Sequence, residues 1–519
     1  MSRADSAWLC VLTAAPFVPG ALEFAQRGIP DLAFGGDAAA LEFGTWHAAR
    51  GHQLLGAYSR FGWNHPGPAF FYLAAPLYEA LGERGPALNL FTFAVQLICA
   101  AATVWAADRL GGRILATIVA ALLGVFEFVA LPFLLGNEWN PIFPIVPLIL
   151  LCFLAALIAR GVTTLLPLFA LVGSVIVQAH VGYALAVVVL CAYAGIRSRA
   201  HARNGLTSRS VIAPTLAVLL VCWALPLVDV WVSRTSNLRQ LIEFFVPTPR
   251  HLAQQPWPAT TAAFARQAAA LPAALAQTIL HRGLPALTDS AALAISAAEL
   301  IAVATIRRRL SLDRSGHIGV LAELTLVLAG AAVVSIRSIR GELLFYLGTW
   351  SSVCGLLAIV VISALTVEWL GERIGKNRAV FVAMGAGAML IALALAAPVA
   401  RGSVIGPANA AVGRIAPIVD AFIRARPGEV PTIQIAAHHT WPVAAGVALY
   451  LVKRGTPVAV DAEWLNVVGR SLRARSGPHA RLVFADDTIA DALGRRGLID
   501  VASSEQVRVL FESIRSDRQ

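Results

Sequence analysis

The chain has 519 residues, of which 58% are hydrophobic and only 14% are charged. A soluble core of this size could not absorb so many apolar runs of membrane-spanning length, so the composition predicts a polytopic membrane protein and excludes a soluble globular enzyme. The formal net charge of +11 comes mainly from Arg residues clustered in short loops between apolar runs. This pattern reflects membrane topology and does not indicate nucleic-acid binding. The six cysteines lie inside apolar segments without CxxC spacing, which predicts neither a disulfide framework nor a metal site.

The apolar runs predict about eleven membrane-spanning helices, the first of them an uncleaved N-terminal helix. They lie at 8–25, 86–107, 114–134, 142–159, 163–180, 182–196, 211–231, 286–305, 318–335, 343–368 and 379–398. The basic connections fall on one face, which the positive-inside rule places in the cytoplasm. These connections are Arg109 to Arg113, Arg160, Arg197 to Arg209, Arg307 to Arg314 and Arg373 to Arg378. The N-terminus is therefore predicted to be cytoplasmic and the C-terminal part extracytoplasmic.

Two long connections are predicted on the outer face, 26–85 and 232–285. The first contains an apolar stretch, 67–82, that is short for a full span at about 1.5 Å per residue, so we expect a juxtamembrane or half-inserted helix. The second combines Pro247 and Pro249 with an amphipathic, Ala-rich stretch, Thr261 to Arg282, which is expected to lie along the membrane interface.

From about residue 401 the composition becomes that of a globular domain. The pattern predicts helix 409–425, strand 432–436, helix 442–454, strand 457–460, a short helix 463–473, strand 481–485 and helix 488–496. Alternating strands and helices are typical of a small α/β domain. The predicted architecture is a polytopic α-helical transmembrane domain over 1–400 and an extracytoplasmic α/β domain over 401–519.

A polar segment follows the first predicted helix and runs from Asp31 to Pro68. It concentrates carboxylates, histidines, arginines and aromatic residues, and a membrane protein has little reason to place so much ionisable chemistry there unless something binds or reacts. Asp37 follows a Gly-Gly pair and precedes a helical run, 38–50, so a tight turn and a helix N-terminus would present its carboxylate. Asp37 is a candidate general base for a hydroxyl group, and the alternative is a helix N-cap. Asp31, after Pro30, is more typical of a turn or cap.

Three further polar positions lie on the predicted outer face. Glu138 leaves a second acidic contact to substrate or metal open, whereas Asn140 before Pro141 suits an N-cap of the next helix. His180 lies where two predicted spans meet, and it is either a binding residue or a satisfied interfacial histidine.

Arg337 and Arg340 interrupt apolar sequence on the predicted outer face, against the positive-inside trend. A guanidinium group there either binds a lipid phosphate bidentately or extends to the headgroup region. No Walker A, GxSxG, HExxH or GxGxxG-with-acid pattern is present, which argues against ATP-driven and common hydrolase functions.

The order of these features resembles the GT-C membrane glycosyltransferases, in particular the protein mannosyltransferase and aminoarabinose transferase branch, and uncharacterised bacterial GT-C-like membrane proteins. The resemblance is carried by the outer aspartate, the segment HPGPAFFYLAAPLYEALG, a basic inner turn and a WNP segment. It places Asp37 on the family's first-loop catalytic acid and Glu138 near its second acidic position. The chain departs from the family at Ala38, where a second acid often stands, and at Asn140, which replaces an aspartate.

The resemblance implies an inverting glycosyltransferase at the outer face of a bacterial inner membrane. The expected donor is a polyprenyl-phosphate-linked sugar, and the expected acceptor is an envelope glycan, lipid or protein. Asp37 would deprotonate the acceptor hydroxyl, and Arg337 or Arg340 would hold the departing lipid phosphate. No cofactor is expected, and a divalent metal is not required. The residues expected to contact substrate are Asp31, Glu42, Tyr58, Arg60, Trp63, His65, Glu138, Asn140, His180, Arg337 and Arg340.

Two other functional classes stay open from the sequence. A transporter, flippase or polymerase for lipid-linked glycans would place ionisable residues near the bilayer midplane, and Glu127, inside a predicted span, favours that class. A non-enzymatic envelope scaffold would use its α/β domain to recruit a partner and would not need the first-loop carboxylates.

Overall fold

The computed structural model describes residues 3–201, 209–233, 236–246, 253–310, 316–399, 402–474 and 480–513. Parts of the predicted basic connections 197–209 and 307–314, as well as Pro247 and Pro249, lie outside the described residues. In chain order, the helices that begin before residue 400 are α1 (Arg3–Ala14), α2 (Val18–Arg27), α3 (Gly36–Ala49), α4 (Ala69–Ala80), α5 (Pro86–Val125), α6 (Ile145–Ala159), α7 (Leu166–Ala179), α8 (Ala184–His201), α9 (Arg209–Val232), α10 (Asn237–Phe245), α11 (Trp257–Ala268), α12 (Ala270–Leu280), α13 (Asp289–Arg309), α14 (Gly316–Arg337), α15 (Ser352–Ile374) and α16 (Lys376–Ala396).

Several of these helices have the length and hydropathy of membrane spans. Among the described residues, eight segments meet both criteria: Ala7–Arg27, Pro86–Ala130, Val181–Arg199, Arg209–Val232, Asp289–Arg309, Gly316–Arg337, Thr349–Ile374 and Asn377–Ala396. Ile145–Ala159 and Thr163–Ala179 are shorter apolar helices. The prediction of a multi-pass membrane protein is confirmed, whereas the count of eleven spans stays a prediction. Helix α4 has only 12 residues, in keeping with an element too short to cross a bilayer.

The segment Pro86–Ala130 contains two of the predicted spans. Its helix is interrupted at Gly111 and Gly112, whose backbone angles are not helical. Gly112 has φ +71°, a left-handed conformation that glycine adopts without the steric cost of a Cβ atom. The interruption falls at the predicted basic inner turn, and a single π-helical turn, Phe126–Ala130, ends the segment.

The described chain packs into two compact units, each built from three stretches of sequence. The first, here the helical unit, comprises Met1–Gln26, Thr92–Ala224 and Ile242–Val404, and the second, here the mixed unit, comprises Arg27–Phe91, Leu225–Leu241 and Ile405–Gln519. The mixed unit thus combines the first predicted outer loop with the C-terminal α/β segment. The division into functional domains at residue 400 stays a prediction.

The C-terminal segment of the mixed unit alternates helices and strands as predicted. Its helices are α17 (Ala410–Arg424), α18 (Trp441–Lys453), α19 (Leu465–Val468) and α20 (Asp487–Gly494), and its strands are β1 (Pro431–Ile435), β2 (Ala459–Val460), β3 (Ala480–Ala485), β4 (Ile499–Ser504) and β5 (Val507–Ser513). The strand order is β2-β1-β3-β5-β4, with β1 parallel to β2 and β3, and β5 antiparallel to β3 and β4. The hairpin of β4 and β5 was not predicted, because three of the six side chains of the edge strand β4 are exposed and the strand shows little apolar alternation.

Helix α3 packs into the core of the mixed unit. Ala39, Ala40 and Phe43 are buried in one cluster with apolar residues of α17, α18 and the sheet. On another side α3 meets α4 closely, since a Cβ atom added at Gly44 would lie 2.5 Å from the Phe71 ring. The segment predicted to be the first outer loop is therefore part of the folded core of this unit.

A buried ion pair joins α3 to α18. The Glu42 side chain is 1% exposed and its carboxylate lies 2.7 Å from Nζ of Lys453. The Tyr78 hydroxyl donates a second hydrogen bond to Glu42, at 2.9 Å. Burial raises the pKa of Glu42, and Lys453 opposes that rise. Glu42 was predicted to contact substrate, but its carboxylate serves an internal ion pair, and we propose no substrate contact for it.

We predict that Lys453→Met destabilises the protein by about 3 kcal/mol at pH 7, because it leaves a buried carboxylate without its cation. Without Lys453 the pKa of Glu42 in the folded state rises further, so the folded protein binds a proton more tightly than the unfolded chain. The lost stability should therefore return as the pH falls through that raised pKa. Thermal unfolding of purified protein across a pH series measures both effects. The Glu42→Gln/Lys453→Met double variant should lack this pH dependence, and a single variant as stable as wild type would contradict the prediction.

Candidate active site

Residues 56–65 of the polar segment form a short hairpin. The backbone N–H of Gly56 donates to the carbonyl of His65 at 3.0 Å, and that of Ser59 donates to the carbonyl of Trp63 at 2.8 Å. This segment is ordered by its own backbone hydrogen bonds, so side chains projecting from it have fixed positions.

Tyr58 of this hairpin donates a hydrogen bond from its hydroxyl to the carboxylate of Asp37. Helix α3 begins at Gly36, with Gly35 in the N-cap position, so Asp37 lies inside the first helical turn. The alternative that Asp37 is an N-cap is therefore wrong, because the two glycines start the helix earlier than the predicted run at residue 38. The Asp37 side chain is partly accessible.

Three helices of the mixed unit begin close to Asp37. A Cβ atom added at Gly36 would lie 3.4 Å from Cβ of Pro442 in the first turn of α18, and one added at Gly35 would lie 2.5 Å from Nδ2 of Asn409, the N-cap of α17. A side chain at Gly35 would collide with Asn409 and with the backbone carbonyl of Pro442, at 2.8 Å, whereas Gly36 has φ +57°, a left-handed conformation that favours glycine. Helix N-termini carry partial positive charge, so their convergence favours a carboxylate here.

A cavity of about 330 Å³ opens beside this hairpin, within the mixed unit. Its volume lies within the range of small-ligand sites. Tyr58 lines the cavity and also donates the hydrogen bond to the Asp37 carboxylate. The polar residues that line it are His47, His52, Gln53, Asn64, Asp229, Gln240, Asn466, Arg470 and Arg473. Burial lowers the pKa of His47, so that ring is neutral at pH 7.

Asp229 and Asn237, which the sequence did not predict as functional residues, stabilise one side of this cavity. Asp229 is 1% exposed, accepts hydrogen bonds from Ser233 Oγ at 2.5 Å and the backbone of Asn237 at 2.9 Å, and lies 3.5 Å from Nη1 of Arg470. Asn237 makes two hydrogen bonds to the backbone of Asn64, at 2.7 and 2.8 Å. Asp229 had a signal in the sequence, because a carboxylate inside an apolar predicted span is costly unless it is used.

We predict that Asn237→Ala lowers stability by about 1 to 3 kcal/mol, since it removes two hydrogen bonds from the buried face of the Asn64 backbone. Thermal unfolding measures the loss. Gln240→Ala is the matched control, because Gln240 lines the same cavity and belongs to the same helix. Equal effects of the two substitutions would contradict the role given to Asn237.

The other predicted residues of the first loop lie apart from the cavity lining. Asp31 is exposed, and the Arg60 guanidinium lies 4.9 Å from the centre of the Phe61 ring. Trp63 and His65 are 6% and 4% exposed and pack edge to face at 5.4 Å. Their substrate contacts stay predictions, and the structure gives Trp63 and His65 a packing role in the hairpin.

The remaining predicted residues meet within the helical unit. Three segments, 136–141, 179–183 and 335–346, contact one another there. Trp139 packs on Tyr346 with ring centres 4.4 Å apart, the Asn140 amide donates to the carbonyl of Ala179 at 3.4 Å, and the Ser335 hydroxyl donates to the carbonyl of Gly182 at 3.2 Å. These segments bring Glu138, Asn140, His180, Arg337 and Arg340 into one region of the unit.

Within this region, Asn140 is not the N-cap that the sequence predicted. Helix α6 begins at Ile145 with Pro144 as its N-cap, because residues 139–143 form turns whose N–H groups donate to the Trp139 carbonyl. Glu138 is 9% exposed. Burial lowers the pKa of His180 to about 4, and its Nδ1 accepts a hydrogen bond from the backbone of Gly182 at 3.2 Å. His180 is thus neutral at pH 7.

Arg337 and Arg340 each keep unused hydrogen-bonding capacity. Arg340 is 6% exposed, donates to the carbonyl of Phe245 at 3.4 Å and lies over the Phe244 ring at 5.2 Å, while Arg337 lies over the Trp257 ring at 5.4 Å. Nη1 of each arginine is buried and finds no acceptor among the described residues. Buried guanidinium donors without acceptors suit an anionic ligand such as a phosphate.

No group of three or more His, Cys, Asp or Glu side chains forms a metal-binding cluster within the part of the chain that the structure describes. Metal independence of any reaction stays a prediction.

Comparisons with known proteins define the class of the fold. No family model and no curated protein matches the chain. Among solved structures, ArnT from Cupriavidus metallidurans bound to undecaprenyl phosphate aligns over 98% of both chains with a TM-score of 0.55 and 14% identity. The apo state of the same protein aligns over the same shares with a TM-score of 0.54 and 15% identity. The chain therefore shares the fold of ArnT, a GT-C-like membrane fold, and the predicted fold class is confirmed.

Proposed function

We propose that the protein is an inverting glycosyltransferase that uses a polyprenyl-phosphate-linked sugar. The observation that carries the proposal is the full-length likeness to ArnT, whose solved structure holds undecaprenyl phosphate, together with a partly accessible carboxylate beside a polar cavity. The apolar helices and the fold support action on a membrane-embedded donor. We place the reaction at the outer face of a bacterial inner membrane, with the N-terminus in the cytoplasm, on the distribution of basic loops.

Asp37 is the proposed general base. It takes the proton of an acceptor hydroxyl as that oxygen bonds to the anomeric carbon of the donor sugar. The bond between the anomeric carbon and the phosphate oxygen breaks, and its electron pair leaves with the polyprenyl phosphate. Tyr58 would orient the Asp37 carboxylate, because a single hydrogen bond from an ordered hairpin fixes one of its oxygens.

The cavity of the mixed unit is the proposed sugar pocket. Its volume of about 330 Å³ suits a sugar unit, and amide groups of Gln53, Asn64 and Asn466 supply donors and acceptors for hydroxyl groups. Arg337 and Arg340 are the proposed ligands of the lipid phosphate, since each has a buried donor available for an anion. Their positive charge would stabilise the negative charge that the phosphate gains as it leaves.

One observation favours transport of a lipid-linked glycan as a second candidate. Glu127 is 2% exposed, lies on the π-helical turn that ends a candidate span, and its Oε1 finds no hydrogen-bond partner among the described residues. Ionisable groups at such positions mark transport pathways in many membrane proteins. A transporter would not need Asp37 for activity, so the experiment below separates the two.

We expect Asp37→Asn to reduce sugar transfer about 10²- to 10⁴-fold, the range that general-base catalysis contributes. Purified protein in liposomes is supplied with polyprenyl-phosphoryl sugars and envelope acceptors, and the transferred sugar is measured. Asp487→Asn is the matched control, because Asp487 is an exposed aspartate in the first turn of helix α20 of the same unit. An Asp37→Asn variant that transfers sugar at the wild-type rate would contradict the proposal. So would wild-type protein that transfers no sugar from any donor of the panel.

Arg340→Gln should lower kcat/KM for the polyprenyl-linked donor about 10- to 100-fold, because a hydrogen bond to a charged group contributes about 1.5 to 3 kcal/mol. The same liposome assay measures it, and thermal unfolding confirms that the variant is folded. Arg266→Gln serves as the control, since Arg266 is exposed and pairs with Asp289 in the same unit. A folded Arg340 variant with unchanged kinetics would remove Arg340 from the site.

A further inference from the structure

Four rings of the mixed unit follow one another in a row. Tyr58 packs edge-on against Trp441 with ring centres 5.8 Å apart, and Trp441 stacks on Trp464 at 6.1 Å with 19° between the ring planes. The ring centre of His438 lies 5.8 Å from that of Trp464, with 46° between the ring planes. Trp441 and Trp464 are half-buried and His438 is exposed. We call these four residues the aromatic row.

The row lies where open α/β sheets bind ligands. His438 directly follows the carboxyl end of β1, and Trp464 follows that of β2. Strand β1 stands between β2 and β3, so the chain leaves β1 toward one side and later returns to the other. Ligands bind outside the carboxyl ends of parallel strands at such a reversal of strand order.

One end of the row reaches the proposed general base. The Tyr58 ring contacts Trp441, and the Tyr58 hydroxyl donates a hydrogen bond to the Asp37 carboxylate. A molecule that lies along the rings would therefore present its end to the Asp37 carboxylate.

The groups around the row suit a carbohydrate better than a lipid. Exposed or partly exposed polar side chains of His439, Asp461 and Glu463 lie at the same edge of the sheet, and Glu463 accepts a hydrogen bond from Trp464 Nε1 at 3.1 Å. The apolar space enclosed beside the two tryptophans is only about 10 Å³, the room of one water molecule, which no acyl chain could enter. Half-buried rings with polar neighbours can pack on the C–H face of a sugar while hydrogen bonds read its hydroxyls.

We propose that the aromatic row is the acceptor site and that the acceptor is a glycan, whose sugar rings stack on Trp464 and Trp441 and whose terminal hydroxyl reaches Asp37. This inference rests on the proposed function for the role of acceptor, but the binding of a glycan to the row can be measured separately.

The test uses the full-length protein in nanodiscs and, as probes, mannotetraose, cellotetraose and chitotetraose. Saturation-transfer NMR and titration calorimetry measure binding, and the liposome assay measures KM for an acceptor glycan. We expect at least one probe to bind wild type, Trp464→Ala to weaken that binding at least tenfold, and Trp464→Phe to restore most of it. Trp231→Ala is the matched control, because Trp231 belongs to the same unit and is 89% exposed.

The outcomes separate this inference from the proposed function. If no probe binds wild type, or if folded Trp464→Ala binds as wild type does, the acceptor site is not on the row, even where sugar transfer continues. If binding depends on Trp464 but no transfer occurs with any donor, the row binds glycans and the proposed catalysis fails. If Trp464→Ala unfolds, Trp464→Leu, which keeps an apolar side chain but has no ring, replaces it in the same binding measurement and should also weaken binding at least tenfold.

Discussion

The packing of helix α3 into the α/β core is the constraint on which the mixed unit depends. Ala39, Ala40 and Phe43 bury the helix among apolar residues of α17, α18 and the sheet. The Glu42–Lys453 ion pair adds an interaction that is costly to break, because burial removes the carboxylate from water. The N-terminal polar segment, which is distant in sequence from the α/β segment, thereby becomes part of the same folded core. Asp37, in the first turn of α3, acquires a fixed position as a result.

That rigidity has chemical consequences. A general base must lie within hydrogen-bond distance of the proton it takes, and a small displacement of the base lowers the reaction rate strongly. The convergence of three helix N-termini, the Tyr58 hydrogen bond and the close contact of Gly35 with Asn409 and Pro442 hold Asp37 in one place. Tyr58, which donates a hydrogen bond to this carboxylate, also lines the polar cavity and contacts the aromatic row through Trp441. The donor sugar and the acceptor glycan of the proposed reaction would each have a surface of suitable chemistry within one unit.

The helical unit offers a different chemistry. Its loops bring together Glu138, His180 and two arginines by contacts between aromatic rings and backbone groups. Nη1 of Arg337 and Nη1 of Arg340 are buried and find no acceptor among the described residues, which is costly in a protein interior unless an anion binds there. Burial keeps His180 neutral, so the positive charge of the region comes from the arginines alone among the predicted residues.

Apolar length and basic loops were enough to predict a multi-pass membrane protein, because the bilayer imposes strict limits on helix length and composition. The order of polar segments also predicted the GT-C-like fold, and the alternation of strands and helices predicted β1 to β3 with their helices. The sequence could not show that Glu42 is an internal ion-pair partner, since Lys453 lies over 400 residues away. Nor could it show that Asn237 supports the hairpin, that α6 begins after Asn140, or that Tyr58, Trp441 and Trp464 form one row. Those facts depend on contacts between distant segments, and only the tertiary structure decides which side chains such contacts bring together.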